Sequence, residues 1–284
     1  GGILLFLNLI SVLLFYFFYS GFMFNFEFKE ILSFFLLIFG FFIVGLYDDK
    51  FNLDPEKKII LTILITCLSL FLNDKLLINE FSLTFYGTRI FFEKLSYFFT
   101  IFCVLILTNS FNFYDGINGQ SLINFIFIFL ILFFLSDLKY FYLTFIFILI
   151  FLLFLNLSGK IFLGDSGIYL MSAFVSILLI YEHNTFKTFL YADSIFFIAC
   201  LPGFDLVRLT VTRMFNRQNA FYGDRSHIHH LLINKYSLFN TNLFLISLIV
   251  LPALMFFVFE LSFFITIVIF TIIYSILIRY LLKT

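Results

Sequence analysis

The sequence predicts an all-α fold, a polytopic integral membrane protein of about ten transmembrane helices. Three observations carry that expectation. The 284 residues are 63% hydrophobic and only 12% charged, more apolar surface than a water-soluble core of this size hides. Apolar runs of about 17–20 residues, each long enough to cross a bilayer, recur from end to end. The densest polar clusters fall at the ends of those runs, and between neighbouring clusters lies an even number of runs.

Bounded by polar or charged breaks, the spans fall at 1–20, 29–47, 58–73, 94–111, 119–136, 140–157, 166–181, 189–208, 241–258 and 261–280. The first begins at Gly1-Gly2-Ile3 with no Met or basic stretch before it, so it reads as an incomplete start and not as a signal peptide. The second stops at Asp48-Asp49-Lys50. The fourth runs into the block Asn109-Ser110-Phe111-Asn112-Phe113-Tyr114-Asp115-Gly116-Ile117-Asn118-Gly119, from which the fifth departs. The seventh opens at Gly164-Asp165-Ser166-Gly167 after the Ser158-Gly159-Lys160 turn. The ninth follows the longest polar stretch, the 209–240 loop, which holds Asp224-Arg225-Ser226-His227-Ile228-His229-His230.

Alternating the sides places the breaks at 48–57, 112–118, 158–165 and 209–240 on one face, together with both termini. Lys and Arg concentrate on that face, which makes it cytoplasmic. Residues 1–284 read as a single transmembrane domain, since no Pro- or Ser-rich linker divides them. Formal net charge is zero and no basic run occurs, which argues against nucleic acid as a partner. Cys67, Cys103 and Cys200 lie inside apolar spans without CxxC spacing, so they read as packing residues.

Each polar cluster has a plain reading and a chemical one. Asp48-Asp49-Lys50 is what a solvated helix end looks like, but two carboxylates in a partly dry site also handle a proton or a cation. Helix termination explains Gly116 and Gly119, but not Asn109, Asn112 and Asp115 spaced to lie along one slanting helix face. Asp165 either caps a helix or serves as a hard carboxylate ligand to Mg²⁺, with neighbouring backbone amides facing phosphate. For the histidine run, zinc would want a closed ligand set. With Arg208, Arg213, Arg217 and Arg225 around it and no cysteine near, anion binding is the better reading.

Taken together, Val44-Gly45-Leu46-Tyr47-Asp48-Asp49, the Asn109–Gly119 block, Gly159 to Gly167 and Asp224 to His230 resemble the polyprenyl-phosphate N-acetylhexosamine-1-phosphate transferase family. The His-Ile-His-His form is similar to the branch that uses undecaprenyl phosphate and GlcNAc-1-phosphate. The resemblance extends from residue 1 to about 235 and implies a cytoplasmic-face active site in a bacterial inner membrane. It implies transfer of a sugar-1-phosphate from a UDP-N-acetylhexosamine to undecaprenyl phosphate, with release of UMP. It also implies Mg²⁺, with Mn²⁺ as the alternative ion.

Carried over motif by motif, the resemblance makes Asp165 and Asn112 metal ligands and puts Asp48 and Asp49 beside the acceptor phosphate. Asp48 is the usual candidate base, yet orienting the acceptor or holding the metal suits it equally. A phosphomonoester is already mostly dianionic at neutral pH and needs little deprotonation. Lys58, or Lys57 in the neighbouring register, would contact the diphosphate. Asn109, Asp115 and Asn118 would bind substrate at the nucleotide pocket. Arg225, His227, His229 and His230 would contact the donor phosphate and sugar, with His229 among the catalytic set. Asp205, Arg208 and Arg213 match a family segment of structural character.

Gly1-Gly2 is similar to the tail of a family motif whose first helix lies upstream, and Asn219-Ala220-Phe221 replaces the frequent Ser-Pro-Phe. Members of the family are often homodimers, and membrane lipid surrounds them. Competing readings are a muramoyl-pentapeptide phosphotransferase-like enzyme, a polytopic transporter and an inactive scaffold. A transporter predicts polar residues near the bilayer midplane, whereas here they gather at span ends on one face.

Overall fold

The computed structural model describes residues 1–19, 27–185, 191–217 and 226–283. Helices dominate: α1 (Gly2–Tyr19), α2 (Phe28–Phe51), α3 (Pro55–Leu72), α4 (Ser96–Tyr114), α5 (Gln120–Leu135), α6 (Lys139–Leu157), α7 (Gly164–Thr185), α8 (Ala192–Ile198), α9 (Cys200–Phe215), α10 (Ile228–Ile233), α11 (Leu238–Ala253) and α12 (Phe263–Leu282). Among the described residues, six helical stretches are long and apolar enough to cross a membrane, or seven if the bent α8–α9 pair is one span. The chain is thus a polytopic membrane protein. Each apolar run read from the sequence falls on a helix, but α1 and α5 are shorter apolar helices and α3, which starts with Glu56, Lys57 and Lys58, is not among the spanning candidates, so the count of ten is not reached by length and composition.

α7 is the axis of the fold, buried continuously from Ser166 to Ile180. α2 lies along it, and Gly45 sets how closely. A Cβ there would stand 2.5 Å from the Asp165 carbonyl oxygen, so only glycine lets the two backbones meet where the α2 and α7 motifs converge. Polar side chains inside the bundle satisfy themselves locally. In α3 the hydroxyls of Thr62, Thr66 and Ser69 donate back to Lys58 O, Thr62 O and Ile65 O at 2.9, 2.7 and 2.9 Å, which removes the cost of a bare hydroxyl in an apolar setting.

Two features depart from the sequence reading. The span expected at 189–208 is broken: α8 and α9 meet at 81°. Pro202 fits it, because proline has no amide to donate to Ile198 O and so cannot carry the helical hydrogen-bond ladder across Ala199. α9 also carries helix through the first residues of the expected 209–240 loop, as far as Phe215. The second departure is an antiparallel hairpin, β1 (Glu80–Leu83) and β2 (Tyr86–Phe91), where an all-α fold has none. Its tip is anchored on α8, where buried Asp193 accepts the Thr84 amide at 2.9 Å and the Thr84 hydroxyl.

Between α4, α7, α8 and α9 lies an apolar cavity of about 630 Å³, lined by Val104, Leu107, Leu179, Ile180, Cys200 and Phe204 among others. Ile78, the hairpin residue Phe81, Ser110 and Val207 also line it.

Candidate active site

The first half of the site forms where α2 turns into α3. Asn52 ends α2 in the left-handed conformation, with its amide on Asp48 O, and Pro55 starts α3. That tight reversal brings Lys58 back onto Asp48. Asp48 is only 4% exposed, and one oxygen accepts the Leu53 amide at 2.7 Å while the other pairs with the Lys58 ammonium. The same ammonium stands 3.4 Å from Asp165 Oδ2, so one lysine bridges carboxylates from two helices. Lys57 faces elsewhere, in an exposed 2.6 Å pair with Asp54; of the two candidate lysines, Lys58 is the one in the cluster.

Asp49 does what the sequence reading gave to others. Its two carboxylate oxygens accept from Asp165 N at 2.8 Å and Ser166 N at 3.1 Å, so it caps α7 from the neighbouring helix. The α7 amides expected to face phosphate are therefore occupied by Asp49. Asp165 itself, the other candidate cap, lies inside the helix, with its side chain 36% exposed. Its carboxylate is free of capping and open to a ligand.

The second half is the turn between α4 and α5. Asn109 donates one side-chain N–H to its own helix, at Leu105 O, 2.8 Å away. Asn112 and Asn118 are half-buried, with no side-chain hydrogen bond to the described residues. Asp115 follows the last residue of α4. Burial pushes its carboxyl up to about 6, with the Ser121 hydroxyl opposing and the charge of Asp49 adding.

Side chains that the sequence did not single out hold this turn. Asn156 accepts the Gly119 amide at 2.6 Å and donates to Ile161 O at 2.9 Å, tying the α4–α5 turn to the α6–α7 turn. Asn242 of α11 donates to Asn118 O at 3.0 Å. Each lies in an apolar helix, and that setting is the signal that could have flagged it, since a lone amide there needs a partner.

The histidine motif packs over the turn. Phe113, His227 and His229 stack in sequence, with centroids 5.9 and 5.5 Å apart and planes within 14° and 12°. His230 tilts against His229 at 4.2 Å. Gly116 makes the contact possible, because a side chain there would occupy the place of His229 Nε2. His229 Nδ1 meets Gln120 Nε2 at 3.2 Å, and Gln120 Oε1 faces the Gly116 amide at 3.4 Å. Burial, with His230 and His227 adding, holds the His229 imidazole down at about 3, so it is neutral at physiological pH.

Behind the stack sits Asp205, 1% exposed, which accepts from His227 Nδ1 at 2.8 Å, Arg208 at 2.7 Å and the Tyr274 hydroxyl at 2.7 Å. Arg208 also donates to Ser226 O at 2.6 Å. This corrects the picture of an arginine fringe around the histidines: Arg208 braces the motif from behind and Arg213 is buried, while Arg217 is exposed. Arg225 and Asp224, like Asn219-Ala220-Phe221, lie outside the described residues.

The chain is 28% identical over 202 residues to the undecaprenyl-phosphate alpha-N-acetylglucosaminyl 1-phosphate transferase of Salmonella typhi, covering 67% of this chain and 54% of that one. It is 27% identical over 202 residues to the protein of the same name from Escherichia coli (strain K12), with the same coverage. It is also 27% identical over 201 residues to the probable undecaprenyl-phosphate N-acetylglucosaminyl 1-phosphate transferase of Bacillus subtilis (strain 168), covering 67% and 55%. The chain spans about half the length of the curated relatives it matches. The family model for glycosyl transferase family 4 matches residues 31–183, which include Asp48, Asp49, Lys58, Asp115 and Asp165. With more than half of its residues matched, the chain belongs to glycosyl transferase family 4.

Proposed function

We propose that this chain transfers an N-acetylhexosamine-1-phosphate, GlcNAc-1-phosphate by preference, from a UDP-sugar to undecaprenyl phosphate, releasing UMP and leaving a lipid-linked diphosphate sugar. The observation that carries the reading is Lys58 between Asp48 and Asp165 at the meeting point of α2, α3 and α7, one turn from Asp49. Three carboxylates and one ammonium leave a negative surplus, which suits a hard divalent cation. Among the described residues no three His, Cys, Asp or Glu side chains form a closed metal cage. That fits Mg²⁺, which is usually held by one or two carboxylates plus substrate phosphates.

Asp165 is the residue that would hold the ion, with Asn112 as the neutral second ligand and Mn²⁺ as the alternative metal. The bound cation would neutralise charge building on the diphosphate as UMP departs. Lys58 adds a fixed positive charge to the same oxygens. Asp48, buried with both oxygens engaged, acts by holding Lys58 and orienting the acceptor, in preference to serving as a base. Asp115 and Asn118 line the nucleotide pocket, and the histidine motif contacts the donor phosphate and sugar.

The acceptor arrives from the bilayer. The apolar cavity between α4, α7 and α9, bordered by Ser110 and Val207, supports a polyprenyl chain as the partner. In this reading the chain crosses an inner membrane ten times and keeps the site on the cytoplasmic face. Mg²⁺-dependent release of UMP from UDP-GlcNAc, by purified protein with undecaprenyl phosphate, tests the whole reading. Release that Asp165→Asn lowers by about 10²–10³-fold upholds it; no release from either UDP-GlcNAc or UDP-GalNAc overturns it.

A further inference from the structure

The histidines of the motif are not chemically equivalent, and the groups behind them show why. Asp205 receives the Arg208 guanidinium, the Tyr274 hydroxyl and the Ile228 amide, which leaves it only an acceptor's role toward His227. His227 Nδ1, 2.8 Å away, must therefore carry a proton. Gln120 faces the opposite situation. Its Oε1 lies toward the Gly116 amide, an N–H that fixes the orientation of the side-chain amide, so its NH₂ group points at His229 Nδ1. His229 Nδ1 must therefore be bare, and the ring's proton sits on Nε2. Nε2 of neither ring has a hydrogen-bond partner among the described residues, although both residues are buried.

We propose that Asp205 and Gln120 are positioning residues that set opposite tautomers on two stacked imidazoles, so that His229 offers an Nε2–H donor and His227 an Nε2 open to accept. This rests on the transferase reading for its purpose: the donor nitrogen holds a diphosphate or sugar oxygen, and the open nitrogen takes a hydroxyl of the donor sugar. The stack itself supports the division. Two imidazolium rings 5.5 Å apart and nearly parallel would repel, and one ring fixed as neutral removes that penalty. α12 enters the site through this device, since Tyr274 completes the set of donors on Asp205.

Two isosteric substitutions test it. Gln120→Glu puts a carboxylate at His229 Nδ1 and forces the proton to that nitrogen. Asp205→Asn, with its carbonyl held by Arg208 and Tyr274, turns an NH₂ toward His227 Nδ1 and strips that nitrogen of its proton. Nitrogen NMR of the full chain with ¹⁵N-labelled histidine, in detergent micelles, reads the protonated nitrogen of each ring directly, with signals assigned by single His→Gln variants. The expected result is a protonated Nδ1 on His227, a bare Nδ1 on His229, and a switch in each variant. In parallel, kcat for UMP release, measured at a temperature where the melting curve shows each variant folded, falls by about 10²–10⁴-fold in both, as when an Asp–His pair loses its tautomer control elsewhere. The same tautomer on both rings of the wild type, or a variant that switches tautomer yet keeps kcat, overturns the inference. Opposite tautomers in a wild type that releases no UMP uphold the assignment and sink the transferase reading instead.

Discussion

Asp49 caps the helix that presents Asp165: its carboxylate oxygens take the Asp165 and Ser166 amides at 2.8 and 3.1 Å. Two acids that look alike in sequence thus have separable roles. Asp49→Ala uncaps α7 and is expected to cost about 0.5–2 kcal/mol in unfolding free energy, the usual range for a lost cap. Asp165→Asn leaves the capping amides untouched, so the melting temperature stays near wild type while Mg²⁺-dependent UMP release drops by about 10²–10³-fold. Equal destabilisation by the two would contradict this division.

Lys58 is the only described cation that joins Asp48 to Asp165. Lys58→Met leaves the Asp48 carboxylate buried without its counter-charge, and breaking a buried pair in this way costs about 3–5 kcal/mol. The double variant with Asp48→Asn should recover most of that stability but not the activity. Lys57→Met, which removes only an exposed pair with Asp54, is expected to match wild type in both respects. Thermal unfolding of the three variants side by side checks the assignment of Lys58 over its neighbour.

The first half of the site was legible because its residues announce themselves as polar groups at the ends of apolar runs. Asp48, Asp49, Lys58 and Asp165 need only the alternation of spans to be placed on one face. The second half depends on pairings that no local pattern encodes: Gln120 with His229 across 109 positions, and Tyr274 with Asp205 across 69. The break before Pro202 was in principle readable, since proline there cannot continue a helix entered from Ala192. The hairpin was harder. Glu80-Phe81-Ser82-Leu83 alternates as a strand does, but Thr84-Phe85 lacks the glycine or asparagine that marks a two-residue turn, and a short strand pair is lost among long apolar helices.

The pH dependence should report Asp115. Its carboxyl titrates near 6 in the fold against about 3.9 in an unfolded chain, so the folded state holds the proton more tightly. The sign follows: the group's contribution is favourable at acid pH and is lost as pH rises from about 4 through 6, on the order of 1 kcal/mol after screening. His229 acts in the other direction. Its imidazole resists protonation down to about 3, so the fold loses stability as pH falls below about 6.5. Asp115→Asn should therefore raise stability slightly at neutral pH, leave the acid loss from His229 uncompensated so that stability falls more steeply from pH 6 to 4, and weaken binding of UMP. A melting-temperature series against pH for wild type and variant, with UMP titrated calorimetrically, decides it.

Gly116 gives the sharpest steric test, because the turn it occupies and the histidine motif reach each other only through the missing side chain. A methyl group at this position would overlap His229 Nε2 itself. The His229 ring cannot retreat freely: it is stacked between His227 and His230 and held at Nδ1 by Gln120. Gly116→Ala is thus expected to displace the motif as a unit, lowering UMP release by about 10²-fold, the cost of roughly 1 Å of misplacement at a reacting centre. Gly203→Ala is the control, since a methyl group there meets no atom within 4 Å, and alanine in helix α9 is favoured over glycine by about 1 kcal/mol. If Gly116→Ala retains full activity, the histidines do not work from the position described. If Gly203→Ala alone lowers it, the apolar cavity beside α9 is more tightly filled by the acceptor than its 630 Å³ requires.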